Sequence, residues 1–186
     1  MPPRETHVCD ADCLINLHRH FGRKAISALR RYGKTGRLKL SEGVIREVIR
    51  GTDKLAVFAK EEYISVRVTV SSEPHLRAQI KRLENLYGDT IVFGRERYGG
   101  FWKSKAGREA ADAQVIAVAK LFSGTVVSDD RAVKLACALE GVPCIGWSEF
   151  ARRLGLIKPV TPVLPGFEQD TVGDGVAGPR PPRKSP

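Results

Sequence analysis

Short apolar runs alternate with helical stretches along most of this chain, and that alternation restricts the fold more than any other feature. Thr6 to Asp10, Arg37 to Leu40, Ile64 to Val70, Gly124 to Ser128 and Val142 to Ile145 read as brief strands rich in Val, Ile and Leu. Helical stretches lie between them. One starts at Asp12, the expected N-cap, and a second runs near Arg23 to Tyr32. Ser41 is placed to cap Glu42 to Arg50, and another helix follows from Thr52 to Glu62. Pro74 stands at the first position of a helix that reaches about Tyr87. Asp130 to Glu140 and Ser148 to Leu154 complete the set. Strands separated by helices predict an α/β fold with a mostly parallel central sheet flanked by helices. Residues 1 to 158 are expected to form one domain. Residues 159 to 186 hold most of the chain's eleven prolines and few large apolar side chains. They are expected to be a disordered Pro/Gly-rich tail.

Asp112 is out of place in this pattern. It stands in the helical run Glu109 to Ala119. At about 100° per residue, Ala111, Val115, Val118, Ala119 and Phe122 share one apolar face, and Asp112 falls inside it. A lone carboxylate there is costly to desolvate, so a metal, a cation or a hydrogen-bond cluster is expected beside it.

The rest of the chain supplies further acids in suitable places. Asp10 ends the first strand, in Val8-Cys9-Asp10-Ala11-Asp12-Cys13-Leu14-Ile15. Glu47 flanks the stripe of Val44, Val48 and Ile49, and Asp129 and Asp130 end the strand Thr125-Val126-Val127-Ser128. Open α/β sheets build their sites at the carboxyl ends of strands. Several carboxylates gathered there repel one another, and Mg²⁺ or Mn²⁺, which take oxygen ligands, relieve that repulsion. His7, His18, His20 and His75 are scattered, with no Ser-His-Asp set and no Gly-rich phosphate loop. Metal-assisted hydrolysis is therefore the chemistry these residue types favour.

The same segments resemble the PIN-domain nucleases, many of which are VapC-like toxins of toxin–antitoxin pairs. Asp10-Ala11-Asp12-Cys13-Leu14-Ile15 is similar to the family's opening motif of an Asp, a small residue, an acid or Ser/Asn, and an apolar pair. Glu47 matches its helical Glu. Ala111-Asp112-Ala113-Gln114-Val115-Ile116-Ala117 resembles A-D-x-x-I-A with the apolar pair shifted by one, and Ser128-Asp129-Asp130 resembles Thr/Ser-x-Asp. The likeness runs from about residue 6 to 147. It departs in a longer segment between Tyr63 and Arg108, in the extra acid Asp129 and in the tail. What it implies is a PIN-like three-layer fold and a Mg²⁺- or Mn²⁺-dependent endoribonuclease. Asp10, Glu47, Asp112 and Asp130 would be the catalytic metal ligands, supported by Asp12, Glu109, Ser128 and Asp129. It also implies a homodimer and a restraining antitoxin.

Two other readings stand beside it. Asp10-Ala11-Asp12 and Ser128-Asp129-Asp130 also resemble motifs of HAD-like phosphohydrolases, although Cys13 and Lys134 depart from that pattern and Asp112 is left unexplained. The third reading is a non-catalytic RNA-binding protein on the same fold.

Charge points to a polyanionic partner. The chain carries +10 at pH 7. Its tail is nearly neutral, so the body is the basic part. Arg95, Arg97, Tyr98, Trp102, Lys103, Lys105 and Arg108 mix cations with aromatics in a Gly-rich loop before Asp112, a composition suited to RNA. Arg23, Lys24, Arg30, Arg31, Lys34, Arg37 and Lys39 form a second basic group, read as a solvated helix face. Cys9, Cys13, Cys137 and Cys144 lack zinc-ligand spacing and are expected to be reduced. No apolar run approaches the roughly 20 residues of a membrane span, and the N-terminus lacks a signal-peptide core. A cytoplasmic protein without membrane contact is expected.

Overall fold

The computed structural model describes residues 5–50, 54–61, 66–70, 72–101 and 111–158. The tail, and with it the expected disorder, lies outside the described residues, as do Trp102, Lys103, Lys105, Arg108 and Glu109.

Five strands form one parallel sheet: β1 (His7–Cys9), β2 (Leu38–Ser41), β3 (Arg67–Val68), β6 (Thr125–Val127) and β7 (Cys144–Ile145), in the order β3-β2-β1-β6-β7. His7 lies beside Leu38 on one side and Thr125 on the other. Every residue of β1 and β6 is buried. Helices supply the cover: α1 (Ala11–Phe21), α2 (Arg23–Lys34), α3 (Glu42–Ile49), α4 (Lys54–Glu61), α5 (Pro74–Tyr87), α6 (Asp112–Leu121), α7 (Arg131–Glu140) and α8 (Trp147–Arg153). The result is a three-layer α/β fold, as the alternation predicts. No described helix is long and apolar enough to cross a membrane.

Several local signals act as the sequence suggests. The Ser41 hydroxyl accepts from the Val44 amide at the start of α3, and Pro74 opens α5. Three expectations are corrected. The cap of α1 is Asp10, whose Oδ1 accepts from the Ala11 amide at 2.6 Å, while Asp12 lies exposed in the first turn. The described part of the Asp112 helix begins at Asp112 itself. That residue therefore sits in the favourable field of a helix N-terminus. Part of the stretch expected to be a loop is a hairpin, β4 (Thr90–Phe93) with β5 (Glu96–Gly99). Its two-residue turn places Gly94 at φ 62°, a value glycine adopts without steric cost. The β-branched run Thr90-Ile91-Val92 followed by that glycine is the signal that marks it.

His7, the first residue of β1, is fully buried. Its ring packs against Tyr32 and Phe150. Arg153 can only donate to Nε2, at 3.1 Å, so Nδ1 carries the proton and donates to the Tyr32 oxygen at 2.8 Å. Burial, reinforced by Arg153 and Arg37 against the opposing pull of Glu5, pushes its pKa down to about 4. The unfolded histidine titrates near 6.5. His7 thus contributes stability that is present above about pH 6.5 and lost as pH falls toward 4, by up to about 3 kcal/mol. Its ring resonances, followed by NMR, should keep neutral shifts down to pH 5; a titration midpoint near 6.5 would overturn this account.

A candidate acidic site at the sheet's switch point

The chain leaves β1 toward β2 on one side, while β6 returns on the other side of β1. Loops that diverge from adjacent parallel strands leave a crevice at their carboxyl ends. Asp10 follows β1 there, and Ser128 follows β6. Asp10 is 6% exposed and Ser128 fully buried. The Ser128 hydroxyl donates to Asp10 Oδ2 at 2.9 Å and accepts from the Asp130 amide at 3.1 Å. Asp130 in turn caps α7, its Oδ1 accepting from the Val133 amide at 3.0 Å. One serine thus ties the two acidic segments together.

Glu47 and Asp112 approach from the neighbouring helices. Glu47 Oε1 accepts from the Ala111 amide at 3.3 Å, just ahead of Asp112. Asp112 is 7% exposed. The first turn of α3 meets the start of α6 closely because residue 43 is glycine: its amide donates to Gln114 Oε1 at 2.9 Å, and Ala111 lies against the place a Cβ would take.

Electrostatics link Asp10, Asp12 and Glu47. Burial, with repulsion from Asp12 and Glu47, raises Asp10 to about 6 against the stabilising bonds from Ser128 and the Ala11 amide. Burial likewise raises Glu47, with Asp12 adding to it, while the Ala111 amide, Arg50 and Arg46 pull the other way. Asp10, Asp12 and Glu47 therefore sense one another's charge, in a pocket whose dominant influence is lost solvation.

Asp129 faces elsewhere. Its carboxylate accepts from Lys134 Nζ at 2.7 Å and from the Trp147 amide at 3.0 Å, at the turn where Gly146 leaves it room. Although burial raises its pKa, these two bonds leave it lowered overall. Asp129→Asn should therefore leave the titration of Asp10 unchanged and disturb the β7–α8 turn instead, by about 1 kcal/mol for an exposed, charge-assisted contact. A shift of the Asp10 titration in this variant, followed by NMR, would contradict this separation of the two acids.

Arg95, Arg97 and Tyr98 lie on the hairpin, which packs on α7. The Arg131 guanidinium stands 4.3 Å over the Tyr98 ring. Arg131 follows Asp130, so this pair sets the hairpin beside the acidic segments. Nothing in the sequence pattern marks such a stack, because its two members are 33 positions apart and neither repeats with any period.

Among the described residues, no three His, Cys, Asp or Glu side chains stand close enough together to hold a metal ion. The acids at the crevice nevertheless offer carboxylate oxygens, and among the described residues no cation is paired with Asp10. That chemistry suits a hard divalent cation.

No family model matches the chain, and no curated protein matches it. Among solved structures it is similar to PAE2754 from Pyrobaculum aerophilum, with 18% identity and a TM-score of 0.44 over 81% of this chain and 97% of that one.

Proposed function

We propose that this protein is a metal-dependent endoribonuclease of PIN type. The observation that carries the reading is Asp10: a buried carboxyl at a switch point, raised to about 6, joined to the Asp130 segment through Ser128 and repelled by Glu47. Asp10, Glu47, Asp112 and Asp130 would hold Mg²⁺ or Mn²⁺ only after drawing closer together, since no three of them stand within reach of one ion here. Such an ion supplies a water activated near neutral pH and charge to stabilise the phosphodiester transition state. The residues' own part is to bind and orient. Ser128 fixes the Asp10 carboxylate, and Glu47 anchors the start of α6 next to Asp112. Arg95, Arg97 and the Tyr98–Arg131 pair offer cations and an aromatic face for single-stranded RNA. In the toxin form of this reading, the chain pairs with itself, and an antitoxin covers the crevice until removed.

One observation favours a non-catalytic RNA-binding protein instead. Asp10 and Asp130 also serve as helix caps, and Glu47 holds a helix-start amide, so each has a structural use. Cleavage of mixed single-stranded RNA and DNA with Mg²⁺, Mn²⁺ or EDTA separates the two, with Asp112→Asn alongside. Metal-dependent RNA cuts that fall by about 10²-fold or more in the variant support the nuclease. RNA binding without cleavage under any metal favours the second reading.

A further inference from the structure

Most cations with described contacts are neutralised locally. Arg30 pairs with Glu61, Arg82 and Lys120 with Glu140, Lys134 with Asp129, and Arg152 and Arg153 with Glu149. Arg23, Lys24 and Arg31 are among the described cations outside such pairs, and they are set apart by sharing one groove. All three are exposed, and no carboxylate among the described residues pairs with them. They line one groove of about 330 Å³ together with the Ser27 hydroxyl.

The groove has a definite construction. Arg23, Ser27 and Arg31 are spaced four residues apart, which puts them in one stripe along α2. The opposite wall is the end of α8. There the Gly155 amide bonds Arg152 O and the Leu156 amide bonds Ala151 O, a helix stop that needs Gly155 at its φ of 74°. That stop lays Leu154 and Leu156 beside Ala28 as an apolar floor. Three like charges held over such a floor repel one another unless an anion joins them.

We infer that this groove binds the phosphate backbone of a nucleic-acid strand, as a second contact remote from the acidic crevice. The stripe from Arg23 to Arg31 is about 12 Å long, at about 1.5 Å per helical residue. That accommodates about three phosphates of one strand, at about 3.4 Å each along the axis. Ser27 donates to a phosphate oxygen, and the floor takes the sugar edge. Helix α1 starts at Asp10 and ends where α2 begins, so about 16 Å of helix separates the crevice from the groove. A strand stacked at that rise needs about five nucleotides to touch both, and a 14-mer has length to spare. The choice of RNA as the strand rests on the nuclease reading; the charge geometry does not.

The test uses the full chain in EDTA, so that binding is read without cleavage. Fluorescence anisotropy would follow labelled single-stranded RNA of 4 and 14 nucleotides across a salt series. Arg23→Gln, Lys24→Gln and Arg31→Gln would be combined in one variant, with the paired Arg30→Gln as control. The groove variant should weaken the 14-mer about tenfold or more. Its salt slope should shrink by about two, since each phosphate left without its cation removes about 0.7. The 4-mer, which fills the groove alone, should bind wild type more weakly than the 14-mer and lose that binding in the groove variant, while the Arg30 control should stay within about twofold. Equal binding of the 14-mer by wild type and groove variant overturns the inference and leaves the nuclease reading intact. Groove-dependent binding of RNA that is never cut, with any metal, keeps the groove and removes the nuclease. A wild type that binds labelled poly-glutamate through the groove residues, and no RNA, assigns the groove to a protein partner and overturns the inference.

Discussion

Asp10→Asn should abolish RNA cleavage while making the protein more stable above pH 6. The two effects have one origin. In the fold, burial and neighbouring acids raise Asp10 to about 6. In the unfolded chain it titrates near 3.9. The folded state therefore holds its proton more tightly, and stability falls as pH rises from about 4 through 6, by about 3 kcal/mol once the shift is complete. Asparagine carries no charge to desolvate, and it still offers an oxygen to the Ala11 amide as a helix cap. The urea midpoint of the variant should exceed that of wild type at pH 7.5 by the equivalent of about 1–2 kcal/mol, allowing for a less favourable contact with Ser128. Cleavage should drop by about 10²-fold or more. If the acid set holds Mg²⁺ as proposed, the ion should raise the wild-type midpoint and leave the variant's unchanged, because it would bind only the folded protein with Asp10 in place. His7 acts in the opposite sense on the acid side, losing stability as pH falls below about 6.5. The two partly cancel in wild type between pH 4 and 6. In Asp10→Asn the His7 contribution stands alone, so the variant's midpoint should climb with pH across that window. A variant less stable than wild type at pH 7.5, with cleavage retained, would leave Asp10 as a helix cap and nothing more.

Gly43→Val should cost about 2–3 kcal/mol and disable the site as well. A Cβ at residue 43 would lie 2.8 Å from Ala111 Cβ, 3.1 Å from Ala111 Cα and 3.0 Å from Gln114 Oε1. The first two belong to the start of α6, so relief requires α3 and α6 to part. A gain of about 0.4 kcal/mol from replacing a helical glycine by the β-branched Val offsets little of that. Parting the helices also breaks the Glu47–Ala111 bond that sets the start of α6. Activity per folded molecule should therefore fall by about tenfold or more, beyond the loss from unfolding, and Gly43→Ala should show a smaller version of both effects. Urea unfolding and initial rates measured well below the melting temperature separate the two contributions. Wild-type stability in Gly43→Val would mean that the helices do not approach as described.

Much of the architecture can be read from local pattern. The alternation of short apolar runs with helical stretches predicts the parallel sheet, because such runs bury both faces only under helices. Ser41 and Pro74 mark helix starts through chemistry that acts over three or four residues. The hairpin is legible too, in Thr90-Ile91-Val92 and Gly94, but its basic and aromatic residues read more readily as a loop. Asp12 and Asp10 compete for the same cap, and the choice depends on where β1 leaves the sheet, which is a tertiary matter.

The order of strands and helices, the acidic segments that follow the strands, and the basic character of the body all follow from the linear chain. They depend on periodicity and residue type, which local interactions read directly. Which acids meet is settled only by the packing of distant segments. The pairing of β6 beside β1 brings Ser128 to Asp10 across 118 positions of chain. The meeting of α3 with the start of α6 brings Glu47 to Ala111. Lys134 and the Trp147 amide turn Asp129 away from its neighbour Asp130. The groove along α2 likewise exists only because the end of α8 lies against it. Each of these rests on contacts between segments that the fold brings together, where burial and charge act through space and leave no periodic mark in the sequence.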